Sequence, residues 1–251
     1  MLKRCFDLCA AALLLAGCLP LLAVLALLIC CESPGPAIFR QRRVGRDFVP
    51  FEIFKLRTMR GVAGAPLTLG KDPRITRLGA WLRRTKLDEL PQLWNVLRGE
   101  MSLVGPRPVI PALVEEFHSE YSLLLRVRPG LTDPATLQYA HETELLQCSR
   151  RPMELFHQII TPRKLQISLE YLQQASFGRD LRLLLQTAAV ILRRKPIAAE
   201  ELPSMVLPTL LASEESYEKK PPMRVDVPLE VLIAVARNNS QIRLFQENHR
   251  Q

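Results

Sequence analysis

The chain has 251 residues, with 34 basic against 25 acidic side chains and a formal charge of +9. At 48% hydrophobic and 24% charged residues it is too apolar for a disordered polypeptide, and it is long enough for one good core or a core with an appendage. The charge is uneven: residues 40–107 carry 15 basic and 6 acidic residues, the whole excess, while the flanking segments cancel. A local excess of this kind points to an anionic partner (phosphates, lipid head groups or nucleic acid) unless it is simply a solvated face.

The first predicted element is a membrane segment. Leu8 to Cys31 is a run of 24 uncharged residues, long enough as a straight helix to span a bilayer. Pro20 sits near its middle and predicts a break, because proline removes a helical hydrogen bond. Basic residues lie on both sides: Lys3 and Arg4 before, Arg40, Arg42, Arg43 and Arg46 after. Positive flanks at both ends favour a re-entrant arm with both ends cytoplasmic over a kinked span. A third reading takes Leu15-Ala16-Gly17-Cys18 as a lipoprotein cleavage box; Asp7 and the apolar run beyond Cys18 count against it. The six cysteines have no zinc or disulfide spacing, and five of them read as small apolar residues of a reducing compartment.

The turn cluster Ser33-Pro34-Gly35-Pro36 follows. Ala37–Val44 and Phe48–Thr58 read as a hairpin, and residues 60–74 as a loop. Helices are predicted at Ile75–Arg84, Glu89–Arg98, Pro111–Leu125, Arg163–Gln174 and Arg179–Arg194, with a turn at Arg126–Asp133. Beyond residue 200 prolines break the pattern. This region reads as a tail, with one further helix candidate at Val227–Gln246. The domains expected are a membrane insert at 1–33, a catalytic domain at 34–199 and an appendage at 200–251. The fold class expected is α+β, mainly helical: a re-entrant helix-break-helix packed on a small cytoplasmic domain with a short β-hairpin.

The chemistry concentrates at Leu82–Pro108, where Asp88 and Glu89 are adjacent inside a basic stretch. Adjacent carboxylates repel unless cations offset them, and acids among arginines suit phosphoryl chemistry. Thr85 to Asp88 also fits a capping box, and Asp88 fits a helix N-cap before Pro91; both readings of Asp88 stay open. Arg83, Arg84 and Arg98 fit solvated helix faces. Arg107 is held between Pro106 and Pro108, where little freedom is lost on gripping a phosphate. His141-Glu142 is not a zinc-protease pair, the four histidines lack ligand spacing, and no Gly-rich phosphate loop or serine elbow occurs. Nucleic acid is a poor partner: Phe48, Phe51, Phe54, Trp81 and Trp94 read as core rather than a base-stacking array.

Five ordered blocks carry a resemblance. Lys3-Arg4-Cys5-Phe6-Asp7 precedes the Pro-containing apolar run. Gly35 to Gly45, GPAIFRQRRVG, is followed by Phe54 to Met59, FKLRTM, and Asp72 to Gly79, DPRITRLG. The last is Asp88 to Pro108, DELPQLWNVLRGEMSLVGPRP. Together they resemble the monotopic phosphoglycosyl transferases among the bacterial sugar transferases, in their small single-domain form. A weaker likeness, including Arg128-Pro129-Gly130-Leu131-Thr132 and Asp180, reaches about residue 195. The resemblance implies transfer of a sugar 1-phosphate from a UDP-sugar to a polyprenol (undecaprenyl) phosphate, with release of UMP. It places the enzyme at the cytoplasmic face of the bacterial inner membrane, starting a membrane-linked glycan. It implies Asp88 as the nucleophile that forms a covalent phosphosugar intermediate, and Glu89 as its dyad partner. It puts Mg2+ at Asp88, substrate contacts at Arg83, Arg107, Lys55, Arg57 and Gln92, and membrane roles at Pro20, Lys3 and Arg4. Two departures from the family pattern stand out: Lys86, where a small polar residue is usual, and Thr132-Asp133-Pro134, where Thr-Gly is usual. A binding lipoprotein, a non-catalytic scaffold and a phosphatase using Asp88 are the rival readings.

Overall fold

A computed structural model describes residues 2–61, 72–140, 142–149 and 151–193. Most of the loop at 60–74, His141 and the tail from 200, with its helix candidate, lie outside the described residues. The first element, α1 (Leu2–Glu32), is dominated by Leu, Ala and Cys and rises over about 46 Å. It runs through Pro20 without interruption, so the expected helix-break-helix is corrected to one continuous helix. The missing proline N–H removes one bond of many, and the leucine-rich flanks carry the helix across it.

One stripe of α1 faces protein. Asp7, Ala11, Leu25 and Ile29 are buried, and Leu15, Cys18 and Leu22 are half-buried, alternating at three and four residues as a docked helix requires. The other face bares Leu13, Leu14, Leu19, Val24, Leu27 and Leu28. Among the described residues α1 alone is long and apolar enough to cross a membrane.

Both ends of α1 are tied to the rest of the chain. At its start, Lys3 donates to the Val104 carbonyl at 3.1 Å and pairs with Asp180. Arg4 donates to the Val96 and Met101 carbonyls at 2.8 and 3.2 Å. Asp7 accepts from the Ser102 hydroxyl at 2.7 Å and the Leu103 N–H at 3.3 Å. At its end, Arg57 donates to the Ile29, Ser33 and Pro34 carbonyls, satisfying acceptors that a helix C-terminus leaves open. The lipoprotein reading fails here: cleavage before Cys18 would strip the fully buried Ala11 and the Asp7 anchor from the core.

The hairpin is present as β1 (Ile38–Val44) and β2 (Pro50–Leu56), antiparallel from Ile38 opposite Leu56 to Val44 opposite Pro50. Two helices follow, α2 (Arg77–Thr85) and α3 (Gln92–Leu97). The side chain of Thr76 caps α2 by accepting from the Gly79 N–H. Glu89–Arg98 is thus not one helix: a 3-10 turn at Leu87–Glu89 comes first, and α3 begins only after Pro91. A small parallel pair, β3 (Ser102–Val104) with β4 (Gly130–Thr132), was not expected; β4 lies in the segment read as a turn. Between them Pro111–Leu125 divides at Phe117 into α4 (Pro111–Glu116) and α5 (His118–Leu124). Three short helices come next, α6 (Pro134–Gln138), α7 (Glu142–Cys148) and α8 (Pro152–Leu155). A π-helical turn at Phe156–Ile160 leads into α9 (Thr161–Gln173), and α10 (Phe177–Arg193) closes the described chain. The class is mainly helical α+β, as the sequence implies. Phe51 is buried in the core as expected, beside aliphatic residues, Tyr121 and Tyr171, whereas Phe48, Trp81 and Trp94 are exposed, correcting their expected place there.

Two contacts set the site's frame. Asn95, fully buried, accepts from the Phe54 N–H at 3.2 Å and donates to the Glu52 carbonyl and to Glu100, each at 2.7 Å. It locks α3 to β2. Gly79 lies so close to the strand end that an added Cβ would stand 2.1 Å from the Thr58 carbonyl oxygen. Backbone cannot yield as a side-chain tip can. Gly79→Ala should therefore lower stability by about 3 kcal/mol, measured by thermal unfolding of the detergent-solubilised chain. An unchanged midpoint would mean that α2 is free to shift.

Candidate active site

The carboxylates sit where two helices meet at a corner. Lys86 ends α2 in the left-handed conformation, φ +57°, which reverses the chain at a cost of order 1 kcal/mol for a residue with a Cβ. The 3-10 turn Leu87–Glu89 follows. With about three residues per turn, neighbouring side chains diverge by roughly 120°. Asp88 and Glu89 are adjacent in sequence but look in different directions, and this separation decides their chemistry.

Glu89 is fully engaged. Arg107 forks onto it, with Nη2 on Oε1 and Nη1 on Oε2 at 3.3 Å, and Lys55 donates to Oε1 at 2.9 Å. Burial opposes its charge, but Arg107, Lys55 and their hydrogen bonds outweigh it and hold the carboxyl well below its usual range. In return Glu89 raises the Arg107 pKa. Burial lowers that of Lys55 against the pull of Glu89.

Asp88 is the opposite. It is buried, and its Oδ1 has no hydrogen-bond partner. Burial first, and then the negative charge of Glu89, raises its pKa, while Lys55, Lys86 and Arg83 pull it back down. It caps neither the 3-10 turn nor α3, and the Thr85 hydroxyl is spent on the Trp81 and Leu82 carbonyls. The capping reading of Asp88 is overturned. One turn further on, Gln92 is 2% exposed and its Nε2 is also without a partner. A buried unpaired acceptor and a buried unpaired donor on adjacent turns form an arrangement that a ligand would satisfy.

Of the expected site residues, Asp88, Glu89, Lys55 and Arg107 come together, with Gln92 alongside. Arg83 joins them through its charge on Asp88 and is steered by Thr58, whose hydroxyl accepts from its Nε at 2.8 Å. Arg57 is not brought in: one residue past β2, it turns to the end of α1. Lys3 and Arg4 likewise serve as ties for α1. Sequence reasoning missed Lys86 as a cation at the dyad, Asn95 as the clamp and Thr58 as the guide of Arg83. A lone Asn among the apolar positions of α3 was the available signal. Among the described residues no three His, Cys, Asp or Glu side chains gather as a metal site.

Glu89→Gln should lower stability at neutral pH by about 2–3 kcal/mol, less than for a fully buried ion pair because Arg107 keeps a third of its side chain exposed. A depressed carboxylate stabilises the fold above its unfolded pKa and loses that contribution as pH falls through the folded one. The gap between wild type and variant should thus shrink as pH falls below about 4.3, read from unfolding midpoints across pH. A gap independent of pH would remove the ion pair as its cause.

Comparison with known proteins gives the family of the chain. The family model for bacterial sugar transferases matches residues 1–194. A UDP-glucose:undecaprenyl-phosphate glucose-1-phosphate transferase of Caulobacter vibrioides is 44% identical over 197 residues, 76% of this chain and 69% of that protein. The Escherichia coli protein of the same description is 37% identical across 74% of this chain, which spans 39% of its length. A UDP-N-acetylgalactosamine-undecaprenyl-phosphate N-acetylgalactosaminephosphotransferase of Aeromonas hydrophila is 38% identical across 57% of this chain and 35% of its own length. With the family match covering more than half of its length, the chain belongs to the bacterial sugar transferase family.

Proposed function

We propose that this chain transfers a sugar 1-phosphate from a UDP-sugar to undecaprenyl phosphate, releasing UMP, and so begins the synthesis of a membrane-linked polysaccharide or glycoconjugate. The observation that carries the reading is the buried, unpartnered oxygen of Asp88 among Lys55, Arg83 and Lys86. In the first step Asp88 Oδ1 attacks the sugar-linked phosphorus. The bond from that phosphorus to the bridging oxygen breaks, and UMP leaves with the electron pair. The product is an acyl phosphate joining Asp88 to the sugar phosphate. In the second step an oxygen of undecaprenyl phosphate attacks the same phosphorus and Asp88 departs as a carboxylate. Both steps bring anions together, which needs cations held in place beforehand. Glu89 supplies that: it keeps Arg107 and Lys55 oriented, and its charge makes Asp88 more basic and hence a better nucleophile.

Magnesium fits this site in a limited way. Both Glu89 oxygens are taken, whereas neither Asp88 oxygen is hydrogen-bonded to a described residue, so that Oδ2 is left for an ion when Oδ1 attacks. Asp88 would hold Mg2+ together with substrate phosphate oxygens and water, the usual way this ion binds phosphate esters. When bound it would neutralise diphosphate charge.

The same reading places residues 1–33 at the cytoplasmic face of the bacterial inner membrane, with α1 lying along the leaflet as one unbroken helix and both its ends on the same side, residues 34–199 at the surface as the catalytic domain, and 200–251 as an appendage. The support is mechanical: both ends of α1 are bonded to one body, and its bare face is apolar. Cysteines introduced at Leu2 and Arg42, in a background free of other cysteines, should react from the same side of sealed vesicles. Labelling from opposite sides would replace the insert with a span.

Asp88→Asn should abolish turnover without weakening the fold. An ionised Asp88 with a raised pKa costs stability at neutral pH, so the midpoint should hold or rise. UMP release and capture of radiolabelled phosphosugar on the protein are the readouts. Full activity, or label that persists in the variant, would mean another nucleophile.

A further inference from the structure

We infer that the cavity behind Arg107 is the subsite for the sugar of the nucleotide donor, and that its wall, above all Tyr121, Glu142 and Lys164, selects which sugar is transferred. This rests on the proposed function. The cavity has a volume of about 330 Å³ and lies between the Pro106–Ile110 corner, α4, α5 and the start of α9. Arg107 belongs to both places: it lines the cavity and grips Glu89. Gly105 makes that corner possible, since a Cβ there would stand 2.6 Å from the Arg128 carbonyl oxygen. A sugar is joined through one oxygen to the phosphorus that Asp88 attacks. Its pocket must therefore adjoin the cations of the dyad, and this cavity does.

The charge inside differs from that at the dyad. Arg43, Arg107 and Lys164 are balanced by Glu116, Asp133 and Glu142. Lys164 donates to Glu142 at 2.7 Å, and His157 meets Glu116 at 2.8 Å. A second phosphate would upset this balance, whereas a neutral polyol would not. Donors and acceptors remain for one: Arg43 Nε is buried without a partner, and the Tyr121 hydroxyl is bonded to none of the described residues. Pro108, Val109, Leu113 and Phe156 offer the apolar surface against which the C–H face of a pyranose packs. The π-helical turn at Phe156–Ile160, an irregularity often found at functional sites, carries Phe156 and His157 onto this wall.

A sequence departure falls in the same place. Asp133, where the family pattern has Gly, is 1% exposed and lines the cavity. It accepts from the Ser168 hydroxyl at 2.9 Å and the Thr136 N–H at 2.7 Å. The relatives described above differ in the sugar of their names, glucose in one and N-acetylgalactosamine in another. A pocket whose wall departs from the family pattern while the dyad keeps it is where such a difference belongs.

Binding would be measured on the full chain in detergent, in an Asp88→Asn background so that the donor is not consumed. UDP and a panel of UDP-sugars are the ligands, titrated calorimetrically. One UDP-sugar should bind more tightly than UDP. Tyr121→Phe and Glu142→Gln should each weaken that sugar nucleotide about ten-fold, roughly 1.4 kcal/mol, and leave UDP within about two-fold. Ala112→Trp, from an exposed position at the rim that the core does not depend on, should do the same by filling the mouth. With Asp88 intact, the same variants should change the ratio of kcat/KM between sugars. Equal weakening of UDP would make the cavity a nucleotide site, and no change in either ligand would remove it from the donor site; either result overturns the inference. Failure of the wild type to release UMP from any donor would sink the proposed activity instead, and the binding comparison would still be read.

Discussion

The site depends on the grip of Arg107 and Lys55 on Glu89. Without it two adjacent carboxylates in a shielded corner would share a proton and behave alike. With it, one is held ionised and the other is left with an unpaired oxygen and a raised proton affinity. Asymmetry between neighbouring acids is how acid, base and nucleophile roles become distinct. Here it follows from three choices of backbone: the left-handed Lys86, the single 3-10 turn and the proline-bounded corner at Arg107. Each is visible as an oddity on its own, and only together do they aim two side chains apart. Asn95 and Gly79 secure the arrangement from behind, one by binding α3 to β2 and the other by letting α2 touch the strand end.

The chemistry was more legible in sequence than the architecture. Asp88, Glu89 and Arg107 stand out because acids inside a basic stretch and an arginine between prolines are rare patterns with a direct physical reading; Lys55 came only through the family resemblance. The amphipathic α2, α9 and α10 and the hairpin follow from periodicity. The paired β3 and β4 do not, because each is three residues long and their partnership joins segments more than twenty residues apart. Phe117 divides a stretch whose apolar pattern gives no sign of a break. Arg57 misled because its block in the sequence sits beside Lys55, yet it lies past the end of the strand and turns toward α1. Arg43, grouped with the basic flank of the membrane segment, instead enters the cavity behind Arg107.

Basic residues near the apolar segment illustrate how one composition serves several ends. Lys3 and Arg4 satisfy carbonyls and Asp180, Arg57 closes the end of α1, and Lys55, Lys86 and Arg107 act on the dyad. The local charge excess that first marked residues 40–107 is therefore not a uniform face for an anionic surface. It is divided between holding the long apolar helix α1 against the rest of the chain and surrounding the Asp88–Glu89 pair.

The two-ended attachment of α1 also bears on how the molecule is made. Lys3 bonds groups 101 and 177 residues away, and Asp7 reaches 95 residues along to Ser102. This segment, synthesised before its partners, thus completes its contacts late, and long-range closures of that kind are slow. Until β3 and α10 exist, Asp7 and the Ala11 stripe have no protein to meet, and lipid is the only solvent that suits their apolar neighbours. With α1 in the bilayer, as proposed, the helix would wait in lipid while the domain condenses onto it. In that arrangement the bilayer would serve the folding of the chain as well as its proposed activity.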